Sequence, residues 1–269
     1  MPRFFLPFIA ASLIATLPGT ISAQGAFPDS VVSIDLIPGW RTENGSHMAG
    51  LEITLAPGWK TYWRAPGDAG IPPAFRWSTA ENVSGLLMHW PVPEVSYLNG
   101  MRSIGYSGRV VIPMEFTTPQ AGVPAQLSGE VEFGICSDIC VPIRLPLSAV
   151  LPPDGGRAPE IVAALLDGPE SASEAEVRSV GCNVTAIPDG LRIEMTIDMP
   201  SLGQGEEVVI ETADPEVWVS EPATERSGAE LTATADLMHV SGEPFALERS
   251  GLRTTIIGRN RAVDIRGCG

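Results

Sequence analysis

Two residues of this chain, Cys136 and Cys140, stand close enough to do chemistry together, with only Ser137, Asp138 and Ile139 between them. An extended chain would hold their Cα atoms ~13 Å apart, whereas a disulfide needs about 4.4–6.8 Å. The backbone must therefore turn sharply, and Ser137 and Asp138 are residues that turn well. So short a loop restricts the unfolded chain by only about 2 kcal/mol in the chain-entropy model, which makes the pair a weak staple. Accessible short bridges are the labile ones in thiol–disulfide exchange. The flanking Phe133, Ile135 and Val141 are apolar and Asp138 is acidic, surroundings that raise thiol pKa values. The pair therefore reads as one that is attacked by a partner's thiolate. Spacing alone also allows a plain hairpin disulfide.

The remaining cysteines, Cys182 and Cys268, lie far apart in sequence. Four cysteines allow three pairings. Spacing favours Cys136 with Cys140 and Cys182 with Cys268, each within one domain. The long loop closed by the second bridge is worth about 4–5 kcal/mol in the same model, the magnitude of a structural staple. Two cysteines and a histidine can also hold soft Cu(I), so copper binding is a rival reading. The three histidines, His47, His89 and His239, are scattered. A third reading is a binding sandwich without chemistry, with Trp59, Trp63, Trp77 and Trp90 lining a groove. No Ser-His-Asp order, zinc signature or phosphate-cradling loop stands out.

The elements that must position these residues are strands. Val31–Leu36, His47–Leu55, Arg109–Phe116, Leu127–Ile135 and Ile143–Val150 read as strands, several with strict alternation. Leu127, Gly129, Val131, Phe133 and Ile135 share one side, and Pro113 suggests an edge or bulge. Pro152 to Gly156 is a breaker cluster, and Ala158–Leu166 reads as a short helix with Pro159 in its first turn. Further strands are expected at Leu191–Ile197, Glu207–Thr212, Glu216–Val219, Leu231–Ala235 and Leu252–Ile257. The fold class is all-β: an immunoglobulin-like β-sandwich followed by a second small β-sandwich. The expected domains are residues 24–152 and 177–269, with a linker and short helix over 153–176.

At the start, one positive charge, the apolar run Phe4–Leu17 and the small-residue exit Ile21-Ser22-Ala23 form the layout of a secretory signal peptide over residues 1–23. The run is shorter than a membrane span, and no later stretch is apolar enough for one. The expected location is the periplasm, with no membrane insertion of the mature chain. A net charge of −15 argues against nucleic acid and anionic membranes as partners. Lys60 is the only lysine.

Four ordered motifs carry a resemblance. They are Gly58 through Pro73 (GWKTYWRAPGDAGIPP), Trp90-Pro91-Val92-Pro93, Ile104-Gly105-Tyr106-Ser107-Gly108, and Cys136 through Pro142 (CSDICVP). Together they resemble the N-terminal periplasmic domain of the DsbD family of thiol:disulfide interchange proteins, most closely its ScsB-like branch, over about Val31 to Leu151. The resemblance implies an immunoglobulin-like sandwich whose redox pair would be Cys136 and Cys140. Such a domain relays electrons fed through a membrane domain to periplasmic thioredoxin-fold partners, among them disulfide isomerases and reductases of cytochrome c biogenesis. A separate membrane electron donor is expected here, since the chain shows neither a membrane conduit nor a thioredoxin domain. By the same analogy Cys140 would be the sulfur that meets partners. The family shields its pair with a cap loop of aromatic and acidic residues, and Tyr62, Trp63 and Asp68 lie in the region that looks like it. Asp68 or Asp138 would assist proton movement, or serve only as turn residues. Better-known members have five residues between the cysteines, against three here. Neither a cofactor nor a metal is expected.

Overall fold

The structure, a computed structural model, describes residues 30–67, 70–98 and 100–268. The signal-peptide segment and Asp68 lie outside the described residues.

Among the described residues of the first half, ten strands follow one another: β1 (Val32–Arg41), β2 (His47–Leu55), β3 (Lys60–Tyr62), β4 (Ala74–Glu81), β5 (Gly85–Met88), β6 (Glu94–Leu98), β7 (Met101–Ser107), β8 (Arg109–Thr117), β9 (Ala125–Cys136) and β10 (Cys140–Leu151). They form two antiparallel sheets, one ordered β1-β2-β8-β5 and the other β10-β9-β3-β7-β6, with β4 also pairing β9. Inward-facing residues fill the space between them. Leu51 and Ile53 of β2 and Ile112 and Phe116 of β8 join Val131, Phe133 and Ile135 of β9 in one buried cluster. Burying each such side chain is worth about 1.5–3 kcal/mol, and a one-residue slip of β9 would send Phe133 and Ile135 to solvent. This is the immunoglobulin-like sandwich expected from the alternation. Pro113 lies within β8, opposite Gly50, at the point where pairing with β5 stops.

Helix α1 (Pro159–Leu166) follows, with Pro159 at its start, where a missing N–H costs nothing. Its Ile161 is fully buried with Trp40, Met48 and Val111 of the first sandwich. Gly50 leaves the room for it: a Cβ there would stand 2.8 Å from Ile161 Cγ1.

The second half holds β11 (Glu170–Ser171), β12 (Ser179–Ile187), β13 (Gly190–Asp198), β14 (Glu207–Glu211), β15 (Val217–Val219), β16 (Ala223–Ser227), β17 (Glu230–His239), β18 (Arg253–Ile257) and β19 (Ala262–Arg266). One sheet is ordered β11-β19-β18-β14 and the other β12-β13-β17-β15, with β16 also pairing β17. Ile193, Met195 and Ile197 of β13 meet Val208, Ile256 and Val263 across the second core. The Cys182–Cys268 bridge joins β12 to the segment after β19, with Cα atoms 5.8 Å apart.

The two sandwiches touch. Val209, Ile257 and Ala262 of the second belong to the core cluster of the first. Around this apolar contact lie polar ones. Arg102 Nη1 donates to Glu207 Oε2 and to the Val208 carbonyl, both at 3.1 Å, and Tyr97 OH donates to Glu207 Oε1 at 2.6 Å.

Candidate functional site: a disulfide at the end of a hairpin

Strands β9 and β10 pair over twelve registered positions, and the last of these is Cys136 opposite Cys140. The sequence makes this hairpin because both strands alternate, and because Ser137-Asp138-Ile139 closes it in three residues. The Ser137 N–H donates to the Ile139 carbonyl at 3.2 Å within that loop. The two cysteines are joined, their Cα atoms 4.1 Å apart. Their surroundings differ. Cys136 is half-buried, whereas Cys140, Ile139 and Asp138 are exposed, and Ile139 is 67% exposed. An incoming thiolate therefore has freer access on the Cys140 side.

Across β9 from β10 runs β3. Lys60 stands opposite Cys136 and Thr61 opposite Ile135. Thr61 Oγ1 donates to the Gly134 carbonyl at 2.9 Å. The chain leaves β3 at Trp63, loops out, and returns as β4 against the earlier part of β9. On its return the Ile71 carbonyl accepts the Gly134 N–H at 3.1 Å.

Gly134 is what permits this approach. A Cβ at that position would lie 2.6 Å from Tyr62 Cε2 and 2.9 Å from Ile71 Cβ. Side chains two apart on a strand share a face, so Tyr62 and Ile71 cover the face that carries Cys136, one step from the disulfide. Burial raises the Tyr62 phenol pKa above its ordinary value.

The candidate residues thus separate. Cys136, Cys140 and Asp138 come together at the hairpin end, and Tyr62 lies beside them over Gly134. Trp63 does not: it is fully buried in the core of the first sandwich. The Arg64 guanidinium stacks on its ring at 3.7 Å. Arg64 then reaches into the second sandwich, donating from Nε and Nη2 to both oxygens of Glu211 and from Nη2 to Thr255 Oγ1, at 2.9–3.2 Å. Burial lowers the Arg64 pKa, and the Glu211 carboxylate works against that shift. Cys182 and Cys268 sit in the other sandwich as a separate bridge.

Sequence reasoning did not single out Gly134, Arg64 or the Lys60–Cys136 pairing. The lone lysine was the only signal available for the last, and it carries no information about register.

The histidines do not gather at the cysteines. His47 bonds the Pro38 carbonyl and His89 bonds Glu115. His239 stands with Asp214 and Glu216 in the second sandwich. A cleft of about 580 Å³ opens between the sandwiches, lined by Arg64, Pro66, Arg102, Glu211 and Trp218 among others. Neither cysteine of the hairpin lines it. Among the described residues no helix is long and apolar enough to cross a membrane.

Comparison with known proteins adds a match over the first sandwich. Residues 34–152 match the family described as the N-terminal part of the thiol:disulfide interchange protein DsbD. Among solved structures, the N-terminal periplasmic domain of ScsB from Proteus mirabilis is similar, with a TM-score of 0.64 at 22% identity. The alignment covers 90% of this chain and 96% of that one, so the likeness in fold extends over both sandwiches. No curated protein matches the chain.

Proposed function

We propose that this chain, whose residues 34–152 form a DsbD N-terminal-like domain, is a periplasmic thiol–disulfide interchange protein working through Cys136 and Cys140. Thiol–disulfide interchange is the activity of the matched family. The finer reading, including location, partners and the two named cysteines, is supported above all by one observation. The bridge spans the turn end of a hairpin, across a three-residue loop, with one cysteine exposed and the other half-buried.

In this reading a reduced partner's thiolate attacks Cys140 Sγ. The Sγ–Sγ bond breaks, its electron pair stays on Cys136 as a thiolate, and a mixed disulfide joins Cys140 to the partner. The partner's second thiol, losing its proton, then attacks the partner's own sulfur in that disulfide, releasing Cys140 as a thiolate. The pair is then reduced and the partner oxidised. The same steps in reverse pass electrons onward. Thioredoxin-fold proteins with two adjacent thiols are partners of this chemistry, and a separate membrane protein would replenish the electrons. The second sandwich, from about residue 177 onward, serves as a support that holds the loop after β3 through Arg64.

The deciding measurement is the reduction potential of the Cys136–Cys140 bridge, with Cys182–Cys268 as the internal reference. Reduction at roughly −120 to −270 mV, the range of exchange proteins, is the expected result. Alongside it, a Cys136→Ser variant should accumulate a mixed disulfide through Cys140 with a thioredoxin-fold partner. Resistance of both bridges to below about −300 mV would make the pair structural and end this reading.

A further inference from the structure

Cys136 has a neighbour on each side. On β10 it is Cys140, and on β3 it is Lys60, the sole lysine of the chain. Directly opposed residues of an antiparallel pair project to the same face, with Cβ atoms roughly 4.5–5.5 Å apart. The Lys60 side chain therefore rises beside the half-buried sulfur of Cys136. Lys60 is exposed, and among the described residues its ammonium has no ion-pair or hydrogen-bond partner.

The other charged groups near this face are occupied or further off. Glu132, two pleats along β9, is held by Arg144 at 2.7 Å and approached by Arg76 at 3.8 Å. Glu94 of β6, beyond β7, accepts from Ser107 Oγ at 3.0 Å, and Ser107 is the residue opposite Lys60 on its other side. Asp138, exposed in the loop, is the one acidic side chain between the two cysteines.

Resting on the interchange reading above, we propose that Lys60 is a positioning residue for the exchange: its ammonium stabilises the thiolate that Cys136 becomes when the Sγ–Sγ bond breaks under attack at Cys140. A cation beside a sulfur favours its thiolate, and a thiolate that forms more readily leaves faster. The placement also gives the exchange a direction. Attack at exposed Cys140 expels the sulfur that has a cation beside it, whereas attack at Cys136 would expel the sulfur one strand farther from Lys60.

The test reads the charge rather than the shape. The Cys136–Cys140 pair is reduced in the mature protein with Cys182–Cys268 intact, and thiolate formation is followed against pH by its ultraviolet absorbance. Lys60→Met should raise the lower titration midpoint by roughly half to one pH unit, a three- to tenfold loss of thiolate at neutral pH. Lys60→Arg should restore it. The gap between Lys60→Met and the parent should narrow in molar salt, and Asp138→Asn should move the midpoint downward. Because there is no other lysine side chain, acetylation of the folded protein should mimic Lys60→Met, while reductive dimethylation, which keeps the charge, should not. If Lys60→Met titrates as the parent does, or if Lys60→Arg shifts as far as Lys60→Met, the proposal is wrong while the exchange reading stands. If the pair cannot be reduced without losing Cys182–Cys268, both fall together.

Discussion

Replacing Arg64 by alanine should loosen the joint between the two sandwiches by about 3 kcal/mol. The Arg64 side chain is 11% exposed and that of Glu211 25%. Truncating one partner of a well-buried ion pair costs about 3–5 kcal/mol, mostly because the other charge is left uncompensated. Glu211 keeps some access to water, so its share falls to about 2 kcal/mol, near the value of hydrogen bonds to charged groups. The lost stacking on Trp63 adds about 1 kcal/mol. A double-mutant cycle isolates the pair. Arg64→Ala, Glu211→Ala and the double variant are compared by urea unfolding, following both the near-ultraviolet signal and the far-ultraviolet signal of the sheets. The coupling energy should be about 1.5–2 kcal/mol. Arg64→Lys should recover little of it, because an ammonium cannot reproduce the fork that meets both Glu211 oxygens. A coupling energy at or below about 0.5 kcal/mol, the level of an exposed surface pair, would refute the reasoning and mean that the contact closes without holding the sandwiches together.

Two further outcomes follow from the same geometry. Gly134→Ala forces a methyl group into the Tyr62 ring and Ile71. It should cost about 1–3 kcal/mol as an overpacked site and speed reduction of Cys136–Cys140 by displacing Tyr62 and Ile71 from the face that carries Cys136, read by urea unfolding and by timed alkylation. Unchanged stability and an unchanged rate together would show that Tyr62 does not shield Cys136. Removing each bridge should have unequal effects. Cys182 and Cys268 are separated by 86 positions and Cys136 and Cys140 by 4, so the double serine variants should lose about 4–5 and about 2 kcal/mol respectively. Equal losses in urea unfolding would contradict the division into a staple and an exchanging pair.

Much of the sandwich framework was legible because it obeys alternation. His47–Leu55 has the bounds expected, and the β9 residues Leu127, Val131, Phe133 and Ile135 face inward as their spacing requires. The helix was legible from Pro159 and the apolar run after it. Between Lys60 and Ser107 the signal fails. β3 has three residues and β5 four, too few to show a period, and none of the eight residues of β4 is buried, so no buried face marks its period. Trp63 illustrates a second limit. Its motif suggested a place over the disulfide, but packing turned it into the core and stacked Arg64 on it. The cysteine pairing was readable because a loop of three residues leaves the chain few ways to turn. Which strand lies on the far side of Cys136 was not, because it depends on β3 arriving from 76 positions upstream, and no local pattern encodes a long-range register.

The docked helix α1 has a consequence for how this protein meets others. Ile161 is seated against Trp40 and Val111, the Val92 N–H donates to the Asp167 carbonyl at 2.8 Å, and β11 then joins β19 in the next sheet. The passage from one sandwich to the other is thus fastened at both ends and is not a slack tether. A tethered redox module searches a volume set by its linker and gains effective concentration toward whatever lies within reach. A fastened one sweeps no volume. On the interchange reading, the hairpin disulfide is presented at a constant distance and angle to the second sandwich, so the search, and the adjustment needed to bring two sulfurs into line, would fall to the partner.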